Sequence, residues 1–132
     1  MAKILINLAR DRSLAKVSQS EKEQRMKQWV NQKTEGDEFS ALHFASFRGN
    51  RKLIEILCEN GADIFAKNKY GINMLHVAAQ GDQPVSLYYF NQAGIQVDSV
   101  DNKGSTPLHW ACYSKSELAL IYLLAWNPPL DH

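Results

Sequence analysis

One motif of nine residues returns every 33 residues in this chain, and that spacing constrains the fold more than any other feature. Its copies are Glu38–Ser46, Gly71–Ala79 and Gly104–Cys112. Each copy has a leucine, a histidine and an alanine at the same places: Leu42, His43 and Ala45; Leu75, His76 and Ala78; Leu108, His109 and Ala111. Several unrelated positions therefore keep one register without gaps. Such a period predicts a solenoid, in which each repeat is one supersecondary unit stacked on its neighbours.

Each copy of the motif also carries the signals that begin a helix. In the third copy, Thr106 can accept a hydrogen bond from a free backbone N–H at the start of a helix. Pro107 then takes the first helical position, where its missing N–H loses nothing. Leu108 and Ala111 are three residues apart and share one face of the helix. A cap-competent residue precedes all three helices: Ser40, Asn73 and Thr106.

The run Thr106-Pro107-Leu108-His109-Trp110-Ala111 resembles the T-P-L-H-x-A motif of the ankyrin-repeat family, and the resemblance extends over residues 35–132. It implies an all-α fold, an ankyrin-repeat solenoid of stacked helix-turn-helix units with finger-like turns and an N-terminal helical cap. The predicted parts are the cap 1–34 and the three repeats 35–67, 68–100 and 101–132. Asn127 aligns with Gly61 and Gly94, after which another finger would begin, so the array is expected to be truncated.

The turns between the two helices of a repeat are predicted to differ. Gly49-Asn50 forms the first turn, Gly81 stands one place early in the second, and Ser114-Lys115-Ser116 lacks a glycine. Second helices are predicted over 51–60 and 117–126, with another beginning near Pro84. This middle helix contains Leu87-Tyr88-Tyr89-Phe90 and is more aromatic than the family pattern, which predicts irregular packing.

Residues 1–34 hold eight lysines and arginines against three acids. Helices over 3–15 and 20–33, the second begun by the capping-box pair Ser20 and Glu23, would form the cap that the end repeat of a solenoid needs. The same basic composition is typical of a targeting segment, or of a surface that docks on an acidic partner. The sequence leaves these alternatives open.

The overall charge and the cysteines bound the partners and the compartment. The formal net charge of +1 argues against general nucleic-acid binding. No apolar run reaches the length of a membrane span, so we expect no insertion of this segment into a bilayer. Cys58 and Cys112 occupy apolar helical positions without a metal or redox spacing. They are predicted to be buried free thiols in a reducing compartment, which favours the cytoplasm or the cytoplasmic face of a membrane protein.

The repeated histidines suggest a metal site, but their spacing argues against one. Neighbouring repeats lie about 10 Å apart, whereas a histidine ligand sits about 2 Å from its ion. We predict instead that each imidazole hydrogen-bonds the adjoining turn and ties neighbouring repeats. His109 and Cys112 suggest a nucleophile with its base, yet Ser46 and Ala79 replace the cysteine in the other copies. With no phosphate-binding loop or serine-hydrolase motif, we expect no enzyme, no metal and no cofactor.

The resemblance implies that a partner binds on the concave side, along the finger tips and the first helix of each repeat. Residues that the motif leaves free there are candidates, and interface centres favour aromatic and basic side chains. The predicted partner-binding residues are Phe47, Arg48, Lys69, Tyr70, Gln80, Lys103, Trp110 and Tyr113. For Trp110 the sequence equally supports packing between repeats, and for Phe44 packing is the favoured interpretation.

These features predict a protein-protein interaction module that binds a partner protein or peptide and no nucleic acid. Further ankyrin repeats or another chain are expected to cover the C-terminal end. An alternative comes from a second resemblance: Ser105–Cys112 and Met74–Pro84 are similar to the cytoplasmic ankyrin region of ankyrin-type DHHC palmitoyltransferases, notably protozoan ones. That resemblance implies a substrate-recruiting domain of a membrane-bound enzyme whose catalytic part lies outside this chain.

Overall fold

The fold is built from short helices joined in pairs. The computed structural model describes residues 19–125; the predicted helix over 3–15 and residues 126–132 lie outside this range. Within it, the regular elements are seven α-helices, so the predicted all-α repeat fold is confirmed. None of these helices combines the length and the apolar composition that crossing a bilayer requires. They are α1 Gln19–Val30, α2 Ala41–Arg48, α3 Arg51–Glu59, α4 Met74–Gln80, α5 Pro84–Gln92, α6 Pro107–Tyr113 and α7 Glu117–Ala125.

The first helix ends earlier than the sequence predicts. α1 stops at Val30, whereas helical spacing predicts a helix to Lys33. Lys33 instead forms an isolated antiparallel bridge with Ser40, and the Thr34 N–H donates to the Phe39 carbonyl at 2.9 Å. The predicted end at Lys33 is therefore wrong, because the chain there pairs with the segment that leads into α2.

The helices pack in two layers. α2, α4 and α6 contact each other in succession and form the inner layer. α3, α5 and α7 form the outer layer, in which each helix packs on the inner helix before it and α5 also packs on α7. Leu75, Leu87 and Phe90 are wholly buried between the layers. Burial of one such side chain contributes about 1.5–3 kcal/mol, so this interior holds the stack together.

Each inner helix begins where its motif predicts. Ser40, Asn73 and Thr106 are the N-caps of α2, α4 and α6, and each side-chain oxygen accepts a hydrogen bond from the N–H of the motif histidine. The histidine returns a bond, since its Nδ1 accepts from the backbone N–H of the cap at 3.0–3.1 Å. Two N–H groups that a helix start would otherwise leave unpaired are thus satisfied.

The turn between paired helices keeps one backbone conformation although its sequence changes. Gly49, Asp82 and Lys115 are 33 residues apart and have φ values of 70°, 57° and 58°. A residue with a side chain pays roughly 1 kcal/mol in this left-handed conformation. Asp82 offsets part of that cost, because its carboxylate accepts from the Ala119 N–H at 2.8 Å and caps the start of α7.

Gly81 is needed for a different reason. Its φ is −83°, which any residue adopts, so it is not a displaced turn glycine. A Cβ at this position would press on the carbonyl oxygen of Phe47. Gly81 is therefore the point of closest approach between the end of α2 and the turn after α4.

The finger tips are tied to one another by backbone groups. The Lys69 N–H donates to the Asp37 carbonyl at 3.3 Å, and the Asn102 N–H donates to the Tyr70 carbonyl at 2.9 Å. The Asn102 side-chain amide also donates to the Lys69 carbonyl at 3.1 Å. Consecutive fingers thus form a ladder that fixes the backbone carrying Lys69 and Tyr70.

The two cysteines lie in different environments. Cys58 on α3 is half-buried, and burial raises the pKa of its thiol. Cys112 on α6 is exposed, so the prediction of a buried thiol there is wrong. The matched residues Ser46 and Ala79 are fully buried, because a further helix pair stacks on each of them. Within residues 19–125 no further pair stacks on α6 and α7.

Candidate partner-binding face

His43 and His76 join consecutive helix pairs. Nε2 of His43 lies 3.0 Å from the carbonyl oxygen of Ile72, and Nε2 of His76 lies 2.9 Å from that of Ser105. Because Nδ1 accepts from the cap N–H, Nε2 carries the ring proton and donates to the carbonyl. The prediction that these imidazoles tie neighbouring repeats is therefore confirmed for both.

The two buried histidines are structural groups. Burial lowers the pKa of both imidazoles below the ordinary 6.5, although the hydrogen bonds to the Ile72 and Ser105 carbonyls act in the opposite direction. Both rings are therefore neutral near pH 7, and both ring nitrogens hydrogen-bond backbone groups, one at the helix cap and one on the next finger. Among residues 19–125, no group of three or more His, Cys, Asp or Glu side chains could hold a metal ion.

Asp101 fixes the third finger and the indole of Trp110 together. Its carboxylate accepts from the Ser105 N–H at 2.9 Å, the Lys103 N–H at 3.0 Å and the Trp110 Nε1–H at 3.0 Å. Burial raises the pKa of this carboxyl, but these bonds to its charged form outweigh burial and hold the pKa below its usual value. The aspartate thereby orients one predicted site residue, Trp110, and the backbone of another, Lys103.

The sequence analysis missed this anchor, although a signal for it exists. Asn68 is matched to Asp101 and accepts in the same way from the N–H groups of Tyr70 and Ile72, at 3.0 and 2.9 Å. Asn68 and Asp101 each stand three residues before a finger glycine, Gly71 or Gly104. Asn and Asp favour such turns because their side chains bond the backbone two residues on.

Trp110 has features of both roles predicted for it, partner binding and packing between repeats. The residue is half-buried and packs against the core. Its indole is edge-on to the His76 ring, with ring centres 6.3 Å apart, and is held by Asp101. Trp110 therefore contributes to packing between helix pairs while keeping part of its surface accessible.

Three other predicted residues expose aromatic rings. Phe47 is 41% exposed at the end of α2, Tyr113 is 87% exposed at the matched end of α6, and Tyr70 is 46% exposed on a finger tip. Lys69 Nζ lies 5.3 Å from the centre of the Tyr70 ring, within the range of a cation–π contact. These rings stand on elements that the caps and the finger ladder hold in place.

The remaining predicted residues are polar and exposed. Gln80 lies on α4 between the matched positions of Phe47 and Tyr113, and Arg48 ends α2. Lys103 follows Asn102 on the third finger. The candidates therefore lie along two lines, which we call the finger–helix face: the helix ends Phe47, Arg48, Gln80 and Tyr113, and the finger residues Lys69, Tyr70 and Lys103, with Trp110 on α6.

Phe44 departs from the predicted packing. It is 52% exposed, whereas the matched Val77 is 5% exposed. Phe39 packs edge-on against the His43 ring at 5.4 Å and against the Phe44 ring at 5.9 Å. Phe44 thus rests on Phe39 at the surface instead of filling the space between repeats, and that prediction is wrong.

Comparison with known proteins places the repeats in context. A family model described as ankyrin repeats (3 copies) matches residues 2–88 and 42–130. Palmitoyltransferase AKR1 of Lachancea kluyveri is 30% identical over 99 residues, which cover 70% of this chain and 13% of that protein. Transient receptor potential cation channel subfamily A member 1 of Homo sapiens is 30% identical over 95 residues, covering 67% of this chain and 8% of the channel.

Palmitoyltransferase akr1 of Schizosaccharomyces pombe shares a shorter segment. It is 39% identical over 51 residues, which cover 39% of this chain and 8% of that protein. The matches thus span 8–13% of the length of these three relatives.

Proposed function

Since the chain belongs to the ankyrin-repeat family, we propose that it holds a partner protein or peptide against the finger–helix face. Ankyrin repeats are protein-interaction modules, and an ankyrin-repeat domain is in general non-catalytic. The observation that carries the proposal is the exposure of Phe47, Tyr70 and Tyr113 on rigid elements, at positions that the repeat motif does not use. Aromatic rings of this kind dominate the energetics of many interfaces.

Rigidity of the face supports this assignment. The Asp37–Lys69 and Tyr70–Asn102 backbone bonds order the fingers before any partner arrives. A preordered surface loses less conformational entropy on binding than a flexible one. Lys69 lies over the Tyr70 ring and Arg48 follows Phe47 in the chain, and arginine especially is enriched with aromatics at interfaces. The near-neutral net charge of +1 favours a protein or peptide over nucleic acid.

The test compares partner capture by the wild type and by a Phe47→Ala, Tyr70→Ala, Tyr113→Ala triple variant. Trp29→Ala is the matched control, because Trp29 is 41% exposed, like Phe47, but lies on α1, which carries no residue of the face. Partners are identified by quantitative mass spectrometry and then measured singly by calorimetry. For the ring that lies at the centre of the contact, we expect its removal to weaken binding by about 2 kcal/mol, roughly 30-fold in affinity. Partners that bind the triple variant as tightly as the wild type would refute the assignment.

A separate variant, Trp110→Ala, divides packing from binding. Removal of the ring should weaken binding by on the order of 2 kcal/mol if its accessible part meets the partner. It should also lower the melting temperature, since the ring packs against the core and leaves the Asp101 carboxylate without its Nε1–H partner. A lower melting temperature with unchanged affinity would confine Trp110 to packing.

A second candidate function is supported by the palmitoyltransferases of two yeasts among the relatives. In this case the chain would be the substrate-recruiting ankyrin region of a palmitoyltransferase, on the cytoplasmic face of a membrane. The channel relative reaches the same 30% identity, so the likeness follows the repeats and not one host protein. An Asp-His-His-Cys segment between hydrophobic spans in the complete gene would support this candidate. Its absence from the full-length product would exclude it.

We further propose that additional repeats or another chain cover the end formed by α6 and α7. Leu124 is 56% exposed, and Cys112 is exposed where its matched residues Ser46 and Ala79 are buried. A longer product containing the downstream repeat should melt at a higher temperature and protect Cys112 from alkylation. Unchanged labelling of Cys112 in such a product would contradict the proposal.

A further inference from the structure

The charge on the finger tips changes sign along the stack. The tips are the matched residues 35–38, 68–71 and 101–104. The first tip holds three exposed acids and no base: Glu35, Asp37 and Glu38. The second and third tips each hold one exposed base, Lys69 and Lys103. The line of tips is therefore negative at its first finger and positive at its second and third.

These charges are not neutralised by neighbouring side chains in the described part of the chain. Within residues 19–125 the ion pair that forms joins Arg51 to Glu55 on α3, and the exposed acids and lysines of the finger tips form none. Asp101, the one acid of the third tip, is buried and accepts from three N–H groups, so it does not oppose Lys103 at the surface. The charges of the tips are thus available to a partner.

The spacing of the fingers sets the length of a ligand that matches this pattern. The Lys69 N–H bond to the Asp37 carbonyl and the Asn102 N–H bond to the Tyr70 carbonyl hold the three tips in a row. Neighbouring repeats lie about 10 Å apart, so the first and third tips are about 20 Å apart. An extended peptide advances about 3.3–3.6 Å per residue and crosses that distance in about six residues.

The second line of the finger–helix face does not repeat this change of sign. At the helix ends, Phe47, Gln80 and Tyr113 occupy one matched position and are all uncharged. Arg48 is the charged residue of this line. The order of charges that a partner meets along the stack is therefore set by the finger tips.

We propose that the partner presents to the finger–helix face an extended segment that carries a basic and an acidic side chain about six residues apart. This inference rests on the proposed function and specifies its ligand. The basic side chain meets the first tip, the acidic side chain meets Lys103, and the residues between them cross Lys69 and the Tyr70 ring. Complementary charges fix the register of such a contact, because a displaced segment brings like charges together.

Selection from a displayed library of random peptides tests the proposal on the complete 132-residue chain. Peptides of about 12 residues are long enough to span all three tips. Those selected by the wild type should be enriched in pairs of a basic and an acidic residue separated by about six residues, in either order along the peptide. Selected peptides that are uniformly acidic, uniformly basic or without this separation would overturn the proposal.

Two neutral variants test which tip selects which charge. The acid-free variant combines Glu35→Gln, Asp37→Asn and Glu38→Gly, and the lysine-free variant combines Lys69→Gln and Lys103→Gln. Glu38 has φ 63° where the matched Gly71 and Gly104 have 77° and 80°, so its replacement by glycine relieves a strained backbone and should not weaken the finger. Peptides selected by the acid-free variant should lose the enrichment in bases and keep that in acids, and the lysine-free variant should give the converse.

Calorimetry of one peptide selected by the wild type measures the size of the effect. An exposed ion pair contributes up to about fivefold in affinity, so this peptide should bind each neutral variant several-fold more weakly. Lys52→Gln and Glu59→Gln are the matched controls, because both residues are exposed on α3, which carries no residue of the face. Both controls should leave the affinity unchanged.

The Phe47→Ala, Tyr70→Ala, Tyr113→Ala variant separates this inference from the proposed function. It should weaken the selected peptides while the order of charges that it selects stays that of the wild type. Affinity that falls in this variant but not in the two neutral variants would overturn the charge pattern and leave the face as a binding site. Affinity that falls in the neutral variants alone would remove the rings from the site and leave the charge pattern. A library that yields no binder would overturn the inference, whereas capture of a partner protein by the same rings would still support the proposed function.

Discussion

The inner and outer helices repeat with the same spacing. Matched positions on the inner helices keep the same residues and hydrogen bonds, whereas matched outward positions on the outer helices do not. On the inner helices, Leu42 and Leu75 are matched and both buried, and their caps and histidines make the same hydrogen bonds. On the outer helices, the matched positions that face outward pass from Lys52 to Val85 and Leu118 while all three remain exposed. Residue identity thus repeats at the positions where helices pack on each other and varies at the positions that face outward.

Buried and outward positions in such a stack differ in how many side chains they can accept. A buried position must satisfy its neighbours in the pairs on both sides, which limits its side chain to one shape and one set of hydrogen bonds. An outward position has no such neighbour. Outward positions are therefore free to carry the residues of a binding surface, and in this chain the surface we propose is the finger–helix face.

The largest difference in stability is expected between two leucine truncations, one at a buried inner position and one at an outward position. Leu75→Ala removes a side chain with no exposed surface and should lower the free energy of unfolding by roughly 2–5 kcal/mol. Leu118→Ala removes a leucine that is 57% exposed and should change it by about 0.5 kcal/mol or less. Urea unfolding followed by circular dichroism measures both. Equal effects would mean that inner and outer positions are not distinguished by burial.

A smaller effect is expected where packing fixes a residue outside the motif. Gly81→Ala keeps an allowed φ of −83° but drives a Cβ against the Phe47 carbonyl, so unfolding free energy should fall by roughly 1–3 kcal/mol. Gly104→Ala has no atom within 4 Å of the new Cβ and meets only the strain of φ +80°, about 1 kcal/mol. The same denaturation series compares them. Stability of the Gly81 variant equal to wild type would show that α2 and the turn after α4 do not approach closely.

The smallest expected effect concerns acid and the buried histidines. His43 and His76 have a folded-state pKa below the ordinary 6.5, so the unfolded chain binds protons more readily. Stability is therefore full above pH 6.5 and declines as the pH falls below it. Thermal unfolding at pH 7.5 and pH 5.5 should show a lower melting temperature in acid, and His76→Gln should reduce this difference. His109 is the matched control, because it is exposed and donates to no finger within residues 19–125. The His109→Gln variant should keep the full difference in melting temperature between the two pH values.

Most of the scaffold could be predicted from the sequence because its signals are local. The cap and the leucine of each motif, and the proline of the third, lie within three residues of one another, and the cap and the proline act through the backbone beside them. The end of α1 could not be predicted in this way. Helical spacing continues to Lys33, but a bridge to Ser40 ends the helix, and that contact depends on how the first finger folds back.

The exposure of some candidate residues was predictable, and the surroundings of others were not. Tyr70 and Tyr113 are exposed at positions the motif leaves free, as the resemblance implies. The environment of Phe44 and of Trp110 depends on which ring a neighbour places against it, Phe39 in one case and His76 in the other. Such choices among rings of similar size are made by tertiary packing and leave no periodic trace in the sequence.

The bonds from His43 and His76 to the next finger have a consequence for the order in which the stack unfolds. Each bond orders a finger only while the helix before it is folded, so neighbouring repeats gain stability from one another. In a linear array with such nearest-neighbour coupling, opening begins at the repeat that has a partner on one side only. Within residues 19–125 the pair α6 and α7 is packed on one side only, so in the 132-residue chain its amide hydrogens should exchange with solvent before those of the middle pair, which is braced from both sides.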